Sequence, residues 1–194
     1  MEDESLVLRI KQGDRQAFDE IYQKYKRPIL NYIYRFIGSL HSAEELTQEA
    51  FVRVYVNIHK YEPKAKFSSW LYRIAGNLAR NFLRHASYDK RMPVFTEPAK
   101  SGEQQHISVA ENIADNTGRP DKQAQSKEEQ SLVQKAIDQL PEHLKEAVIL
   151  CDIEGFSYDE ASDIMRCRPM TVGSRLSRGR QKLAKLLRYT GDGQ

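Results

Sequence analysis

Cysteines and metal-binding patterns are scarce in this sequence. Its 194 residues include two cysteines, Cys151 and Cys167, without C-x-x-C spacing, and five scattered histidines. A disulfide framework or a zinc site needs paired or regularly spaced ligands. The sequence therefore argues against both, and we expect no metal or cofactor. The two cysteines are expected to be small buried or half-buried residues in a reducing compartment.

Long apolar runs and strand-like alternation are also missing. No stretch of about 18 apolar residues exists that could span a membrane, and the acidic start MEDESLVLRI lacks the apolar core of a signal peptide. Apolar residues instead recur at helical spacing. These patterns predict a soluble, cytoplasmic, all-α protein.

Charge is unevenly distributed, although the net charge is only +3. The stretch 42–84 has the pattern of two amphipathic helices joined by a short basic loop, and its charge changes sign halfway along. Ser42 and Glu45 form an S-x-x-E capping box, which predicts that the first, acidic helix begins there. Such a hairpin can offer one surface to a protein and another to nucleic acid.

The second helix of this hairpin carries a tryptophan on its basic face. At about 100° per residue, Trp70, Arg73, Asn77 and Arg80 fall opposite the apolar side. Cationic grooves with aromatic platforms hold unpaired nucleic acid through phosphate charge and base stacking. Two interpretations of Trp70 stay open at this point: a platform for a base, or a core anchor under the preceding loop.

Helical patterning stops near Ser87 and returns near Lys127. Residues 92–126 combine prolines and glycines with polar side chains and have too few apolar residues to bury a face, which predicts a flexible linker. We therefore expect one helical domain at 1–91, a linker at 92–126 and a second helical domain at 127–190. In the first domain, Asp14 is predicted to cap a helix that Pro28 breaks or kinks.

The second domain has the pattern of a helix-turn-helix. Ser157 and Glu160 form a capping box, a turn follows at 166–169, and a long helix runs from about Pro169 to Tyr189. Every charged residue between 166 and 188 is positive. Residues near the helix start are expected to reach base edges and later ones to meet phosphates. Arg180 falls nearer the apolar side, so we expect it to pair with an acidic residue or touch a phosphate.

These segments together resemble the bacterial sigma-70 family, in particular its small extracytoplasmic-function (ECF, group IV) sigma factors. The segment AEELTQEAFVRVYVNI is similar to the D-L-x-Q-E-x-F-x-R-V motif that docks on the β′ clamp helices of RNA polymerase. The segment FSSWLYRIAGNLARNFLR resembles the part of the sigma-2 domain that reads and melts the −10 element. The block from LPEHLKEAVIL to RLSRGRQKL resembles the sigma-4 domain, which binds the −35 element and the β flap.

Carried over position by position, the resemblance implies three sets of site residues. The polymerase-binding set is Glu45, Gln48, Glu49, Phe51 and Arg53, of which Phe51 is also a candidate core residue. The set for −10 DNA is Lys66, Trp70, Arg73, Asn77, Arg80, Asn81 and Arg84. The set for −35 DNA is Thr171, Ser174, Arg175, Ser177, Arg178 and Lys182. Gly173 and Gly179 stand where the family usually has a basic residue and alanine, and glycine is expected to weaken a helix.

The function that the resemblance implies is promoter-specific initiation of transcription. Its partners would be core RNA polymerase, promoter DNA and an anti-sigma factor. No catalytic constellation emerges, so we do not expect an enzyme. A stand-alone helix-turn-helix regulator and a purely protein-binding adaptor are the alternatives. In the free protein, the acidic 142–163 surface is also expected to attract the basic 64–91 surface.

Overall fold

The computed structural model describes residues 2–89 and 131–191, and all regular structure within these ranges is helical. The predicted linker at 92–126 lies outside the described residues. In chain order the elements are α1 (Glu2–Lys11), α2 (Arg15–Ile37), α3 (Leu40–Asn57), a 3₁₀ turn (Ile58–Lys60), α4 (Phe67–Asp89), α5 (131–138), α6 (Glu142–Val148), a π turn (Ile149–Ile153), α7 (Tyr158–Met165) and α8 (Pro169–Gly191). The predicted all-α class is confirmed.

Helices α1 to α4 form the N-terminal half, with α2 at its centre. Residues Ile21, Ile29 and Phe36 of α2 are fully buried. The Asp14 carboxylate accepts hydrogen bonds from the Gln16 and Ala17 N–H groups at 2.9 and 3.2 Å, so the predicted cap is confirmed. At the other end Gly38 has φ +79°, the left-handed conformation that commonly ends a helix.

A break of the helix at Pro28, one of the two alternatives predicted there, and the predicted start of α3 are both wrong. Helix α2 continues through Pro28, because buried apolar side chains on both sides of the proline hold the two segments in one packed helix. Helix α3 begins earlier than predicted, at Leu40, because Ser39 adopts an extended conformation and its hydroxyl accepts the Ser42 N–H. Ser42 is therefore inside the helix and does not cap it.

Helices α6, α7 and α8 form the C-terminal half. The capping box of Ser157 and Glu160 is present at the start of α7, as predicted. A Cβ atom at Gly179 of α8 would lie 2.6 Å from Val148 Cγ2 of α6. Glycine at this position therefore allows close helix packing, which explains the departure from alanine.

The two halves pack against each other through a shared apolar core. Helix α4 contacts α7, and α2 contacts α6 and the π turn. Helix α4, which was predicted to be basic, thus lies next to the acidic part of the C-terminal half. Within the described ranges, no helix is both long and apolar enough to cross a membrane.

Candidate functional surfaces

The outer face of α3 carries most of the predicted polymerase-binding residues. Glu45, Gln48, Glu49 and Arg53 are all exposed there. Arg53 Nη2 donates to Glu49 Oε1 at 2.5 Å, four residues away on the same helix. The face is therefore charged, accessible and free to meet a protein partner.

Two apolar residues on the same face were given no role from the sequence. Val52 and Val56 are 61% and 60% exposed and lie one helical turn apart. Their signal was available, because Val52 falls off the buried stripe of α3. An exposed apolar pair with charged residues around it can form the centre of an interface with another protein.

Phe51, in contrast, is buried and cannot touch a polymerase directly. Its ring packs edge-on against Tyr22 of α2 with centroids 4.8 Å apart. Of the two roles predicted for Phe51, the structure supports the place in the core. The side chain fixes the position of α3 on α2 and acts on the surface through that packing.

The start of α4 holds a cluster of three aromatic rings. Tyr61 and Phe67 are buried, and Trp70 is half-buried with its ring 5.4 Å from Tyr61 and 5.9 Å from Phe67. The Tyr61 hydroxyl donates to the Ala65 carbonyl at 2.8 Å and so closes the loop before α4. Trp70 thus supports this loop and at the same time keeps part of its ring at the surface.

Two hollows open beside Trp70. One, of about 250 Å³, is lined by the loop from Lys60 to Ala65 together with Arg73 and Asp163. The other, of about 290 Å³, is lined by Arg53, Asn77 and Arg166 among others. Each hollow combines cations of the N-terminal half with one charged residue of the C-terminal half, so both lie at the junction of the halves.

The remaining residues predicted to bind −10 DNA follow one another along α4. Arg80 Nη2 donates to Asn77 Oδ1 at 2.6 Å, and Arg84 Nη2 donates to Asn81 Oδ1 at 3.0 Å. Asn81 and Arg84 are exposed, whereas Arg73, Asn77 and Arg80 are half-buried. The helix therefore brings the predicted set together on one side, partly covered by the C-terminal half.

Arg80 and Glu146 form an ion pair between the halves, in which Glu146 is buried and Arg80 is half-buried. The Tyr32 hydroxyl also donates to Glu146 Oε1, at 3.3 Å. Burial raises the pKa of the Glu146 carboxyl, and the Arg80 guanidinium opposes this effect. Gly76 lies beside the pair, where a Cβ atom would come within 3.2 Å of Glu146 Oε1.

Further contacts also join the halves. Lys66 Nζ lies 2.7 Å from Glu160 Oε1. The Tyr72 hydroxyl donates to Glu154 Oε2 at 2.6 Å, and its ring packs on Phe156 with centroids 4.7 Å apart. The expected attraction between the acidic and basic surfaces is therefore confirmed, at Lys66 and Arg80.

Helices α7 and α8 form the predicted helix-turn-helix. Arg166 ends α7 with φ +51°, and α8 begins three residues later. Ser174, Ser177, Arg178 and Lys182 are exposed on α8, while Thr171 and Arg175 are half-buried. Arg180 turns away from this face and pairs with Asp152 through contacts of 2.5 and 3.1 Å, which confirms its expected role inside the domain.

Comparisons with known proteins agree with this arrangement. Sigma-70 region 2 matches residues 21–88, and Sigma-70 region 4 matches residues 130–183. The ECF RNA polymerase sigma factor SigW of Bacillus subtilis is 34% identical over 94% of this chain and 95% of its own length. The RNA polymerase sigma-H factor of Pseudomonas aeruginosa is 33% identical over 96% of this chain and 94% of its own length.

Two solved structures share the fold. CnrH, in complex with the cytosolic domain of CnrY, has a TM-score of 0.71 and 20% identity, and the match covers 97% of this chain and 99% of CnrH. RpoE of Bartonella quintana, in complex with the anti-sigma factor NepR, has a TM-score of 0.64 and 24% identity, with coverage of 88% and 96%. At these identities the likeness concerns the fold alone.

Proposed function

Because this chain belongs to the extracytoplasmic-function sigma factors of the sigma-70 family, we propose that it directs RNA polymerase to specific promoters through three separate surfaces. Members of this family regulate transcription and are not enzymes. The observation that carries the proposal is that one chain presents three surfaces in order: an exposed face on α3, a cationic face with an aromatic ring on α4, and a basic recognition helix, α8. Since it works on polymerase and promoter DNA, we place it in the bacterial cytoplasm.

We propose that the α3 face binds the β′ clamp helices of core polymerase. Glu45, Gln48, Glu49 and Arg53 supply polar contacts, and Val52 with Val56 supplies the apolar centre. Partially apolar patches with a charged rim are typical of specific protein interfaces. The C-terminal half would add a second contact, with the β flap.

The α4 face is suited to the unpaired −10 strand. Lys66, Arg73, Arg80 and Arg84 offer cations to phosphates, and Trp70 offers an aromatic surface next to a hollow. Extruding a base from the duplex costs a few kcal/mol, which stacking and hydrogen bonding in a pocket must offset. Trp70 would both support the loop before α4 and offer its ring to a base at the hollow.

The contacts between the halves compete with this strand. Arg80 and Lys66 cannot hold Glu146 and Glu160 and also neutralise phosphates of DNA. We therefore propose that the halves separate when the promoter is bound. An anti-sigma factor that covers both halves would act in the opposite direction, by keeping these surfaces away from polymerase and DNA.

Reconstitution tests the proposed function. Promoters are first taken from transcript start sites that appear after the chain is expressed, and run-off transcription is then measured with core polymerase. We expect initiation only when the chain is present and only from templates with the matching −35 and −10 elements. Equal initiation without the chain would contradict the proposal. Tight, specific duplex binding in gel shifts without polymerase would instead support a stand-alone regulator.

A further inference from the structure

The solvent-facing side of α8 begins with an apolar residue. Met170, Ser174, Ser177 and Gln181 are spaced by four, three and four residues, so they form one line along the helix. This line lies opposite the buried Val172 and Leu176. Met170 is 87% exposed and stands closest to the helix start.

Three residues that follow Met170 on α8 have polar groups engaged within the protein or carry no side chain. The Ser174 hydroxyl donates to the Thr171 carbonyl of its own helix at 3.0 Å. Arg175 is half-buried and directs Nη1 to Cys167 Sγ at 3.9 Å. Gly173 has no side chain, and the ring of Tyr158 occupies the adjoining space, 3.4 Å from where a Cβ atom would lie. Met170 is therefore the exposed apolar side chain at the start of α8.

Exposed cations lie before and after Met170 along the chain. Arg166 and Arg168 precede it, and Arg178 and Lys182 follow it, all of them exposed. Positive charges distributed in this way fit the phosphates of duplex DNA, which fix the recognition helix in the major groove. In that position the residues nearest the helix start reach the base edges. Duplex DNA is thus the occupant that this surface favours.

Among the four bases, only thymine offers a methyl group in the major groove. We propose that Met170 is a specificity-determining residue that recognises thymine in the −35 element through its 5-methyl group. Tyr158 lies against Gly173, three residues after Met170 on α8. This inference rests on the proposed function, because it requires α8 to read the −35 duplex.

Replacing thymine by deoxyuridine removes the methyl group and leaves base pairing unchanged. Holoenzyme made with the wild-type chain first selects templates from a pool with a randomised −35 element. Each thymine of the selected element is then replaced by deoxyuridine, and binding is measured. We expect at least one position where the loss of the methyl weakens binding about fourfold, the effect of exposing one buried methyl group. Met170→Ala should abolish this difference, whereas Met170→Leu should keep most of it.

The control is Lys182→Ala, which should weaken binding to all templates and preserve the ratio between thymine and deoxyuridine. Met170 is exposed, so its variants should fold normally, as circular dichroism can check. Equal responses of wild type and Met170→Ala to deoxyuridine would overturn the inference while initiation continues normally. If the holoenzyme selects no template at all, the proposed function itself fails, so the two failures are distinguishable.

Discussion

Arg80 and Glu146 form an ion pair between the two halves of the chain, at a place where Glu146 is only 3% exposed. Arg80 belongs to the surface proposed for −10 DNA, and Glu146 belongs to the sigma-4 half. Removing one partner of a buried pair leaves a charge without compensation, which is costly. This one contact therefore links the availability of the −10 surface to the position of the other half.

Glu146→Gln should loosen the contact between the halves. The substitution keeps the size of the side chain and removes its negative charge. Hydrogen bonds to charged groups contribute about 1.5–3 kcal/mol, so we expect the packing of the halves to weaken by about 2 kcal/mol. Small-angle scattering should show a larger radius of gyration, and fluorescence anisotropy should show tighter binding of single-stranded −10 DNA.

The matched control is Glu142→Gln, which makes the same charge change at an exposed position of α6. It should leave the radius of gyration unchanged. High salt should expand the wild-type chain more than the Glu146→Gln variant, because salt screens the charges that the variant lacks. A variant as compact as the wild type at every salt concentration would contradict the role assigned to Arg80 and Glu146.

Two glycine substitutions should have opposite effects on stability. A Cβ atom at Gly76 would lie 2.7 Å from the hydroxyl of Tyr32, which is fully buried and cannot move away easily. Gly76→Ala should therefore destabilise the protein by about 1–3 kcal/mol through overpacking. Gly173→Ala meets only Tyr158, at 3.4 Å, and should stabilise α8 by about 0.5–1 kcal/mol.

Urea denaturation of both variants measures these free energies of unfolding. The pair is informative because each change adds the same methyl group to a helical glycine. Equal stability of the Gly76→Ala variant and the wild type would show that the side chains of Tyr32 and Glu146 can move to admit a methyl group. That result would contradict the tight packing assigned to the junction of the halves.

The sequence predicted well what depends on local patterns and on charge. The Asp14 cap, the capping box at Ser157 and the pairing of Arg180 with an acidic residue all follow from residues close in sequence or from helical spacing. The attraction between the halves was also predictable, because opposite charges are concentrated on two different segments. Its partners, such as Arg80 with Glu146, were not, since pairing depends on the geometry of packing.

The failures have a common physical cause. Ser42 fits a capping motif, yet Ser39 is the N-cap residue of α3, because the chain turns there after Gly38. Pro28 should interrupt a helix, yet tertiary packing on both sides overrides this local preference. Phe51 belongs to a binding motif but serves the core. In each case the surrounding structure, either the turn at Gly38 or packing against another helix, decided between options that the local motif left open.

The apolar pair on α3 should contribute strongly to polymerase binding. Replacing Val52 and Val56 together by alanine should lower the affinity for core polymerase at least about tenfold, as expected for the centre of an interface. The free energy of unfolding should hardly change, because both side chains are exposed. Phe51→Ala should behave in the opposite way and destabilise the fold by about 3–5 kcal/mol. Binding is measured by fluorescence anisotropy of the labelled chain, and unfolding by urea.

Glu44→Ala is the control for this surface, since Glu44 is exposed on α3 but lies to one side of Val52 and Val56. It should change the affinity for polymerase much less than the double alanine variant. An unchanged affinity of the double variant would remove α3 from the proposed interface, whatever the result for Phe51.

Glu160 should give the contact between the halves a defined pH dependence. Its hydrogen bond with Lys66 is the main reason that the pKa of its carboxyl falls from 4.5 to about 2. A lowered pKa means that the charged form stabilises the folded state above pH 4.5, and that this stabilisation is lost as the pH falls towards 2. Glu160→Gln keeps a residue that can serve the capping box but removes the charge. The urea midpoints of the wild type and the variant should therefore differ most near pH 6 and converge below pH 4.5.

Lys66→Ala separates the two causes of this shift. Glu160 also accepts a hydrogen bond from the Ser157 N–H at 2.9 Å, and this contact remains when Lys66 is removed. In the Lys66→Ala background, Glu160→Gln should still lower the midpoint at pH 6, but by less, and the difference between the two cases measures the coupling between Lys66 and Glu160. If Glu160→Gln has the same effect in both backgrounds at every pH, the carboxylate acts only as a cap of α7, and Lys66 is already free to meet DNA.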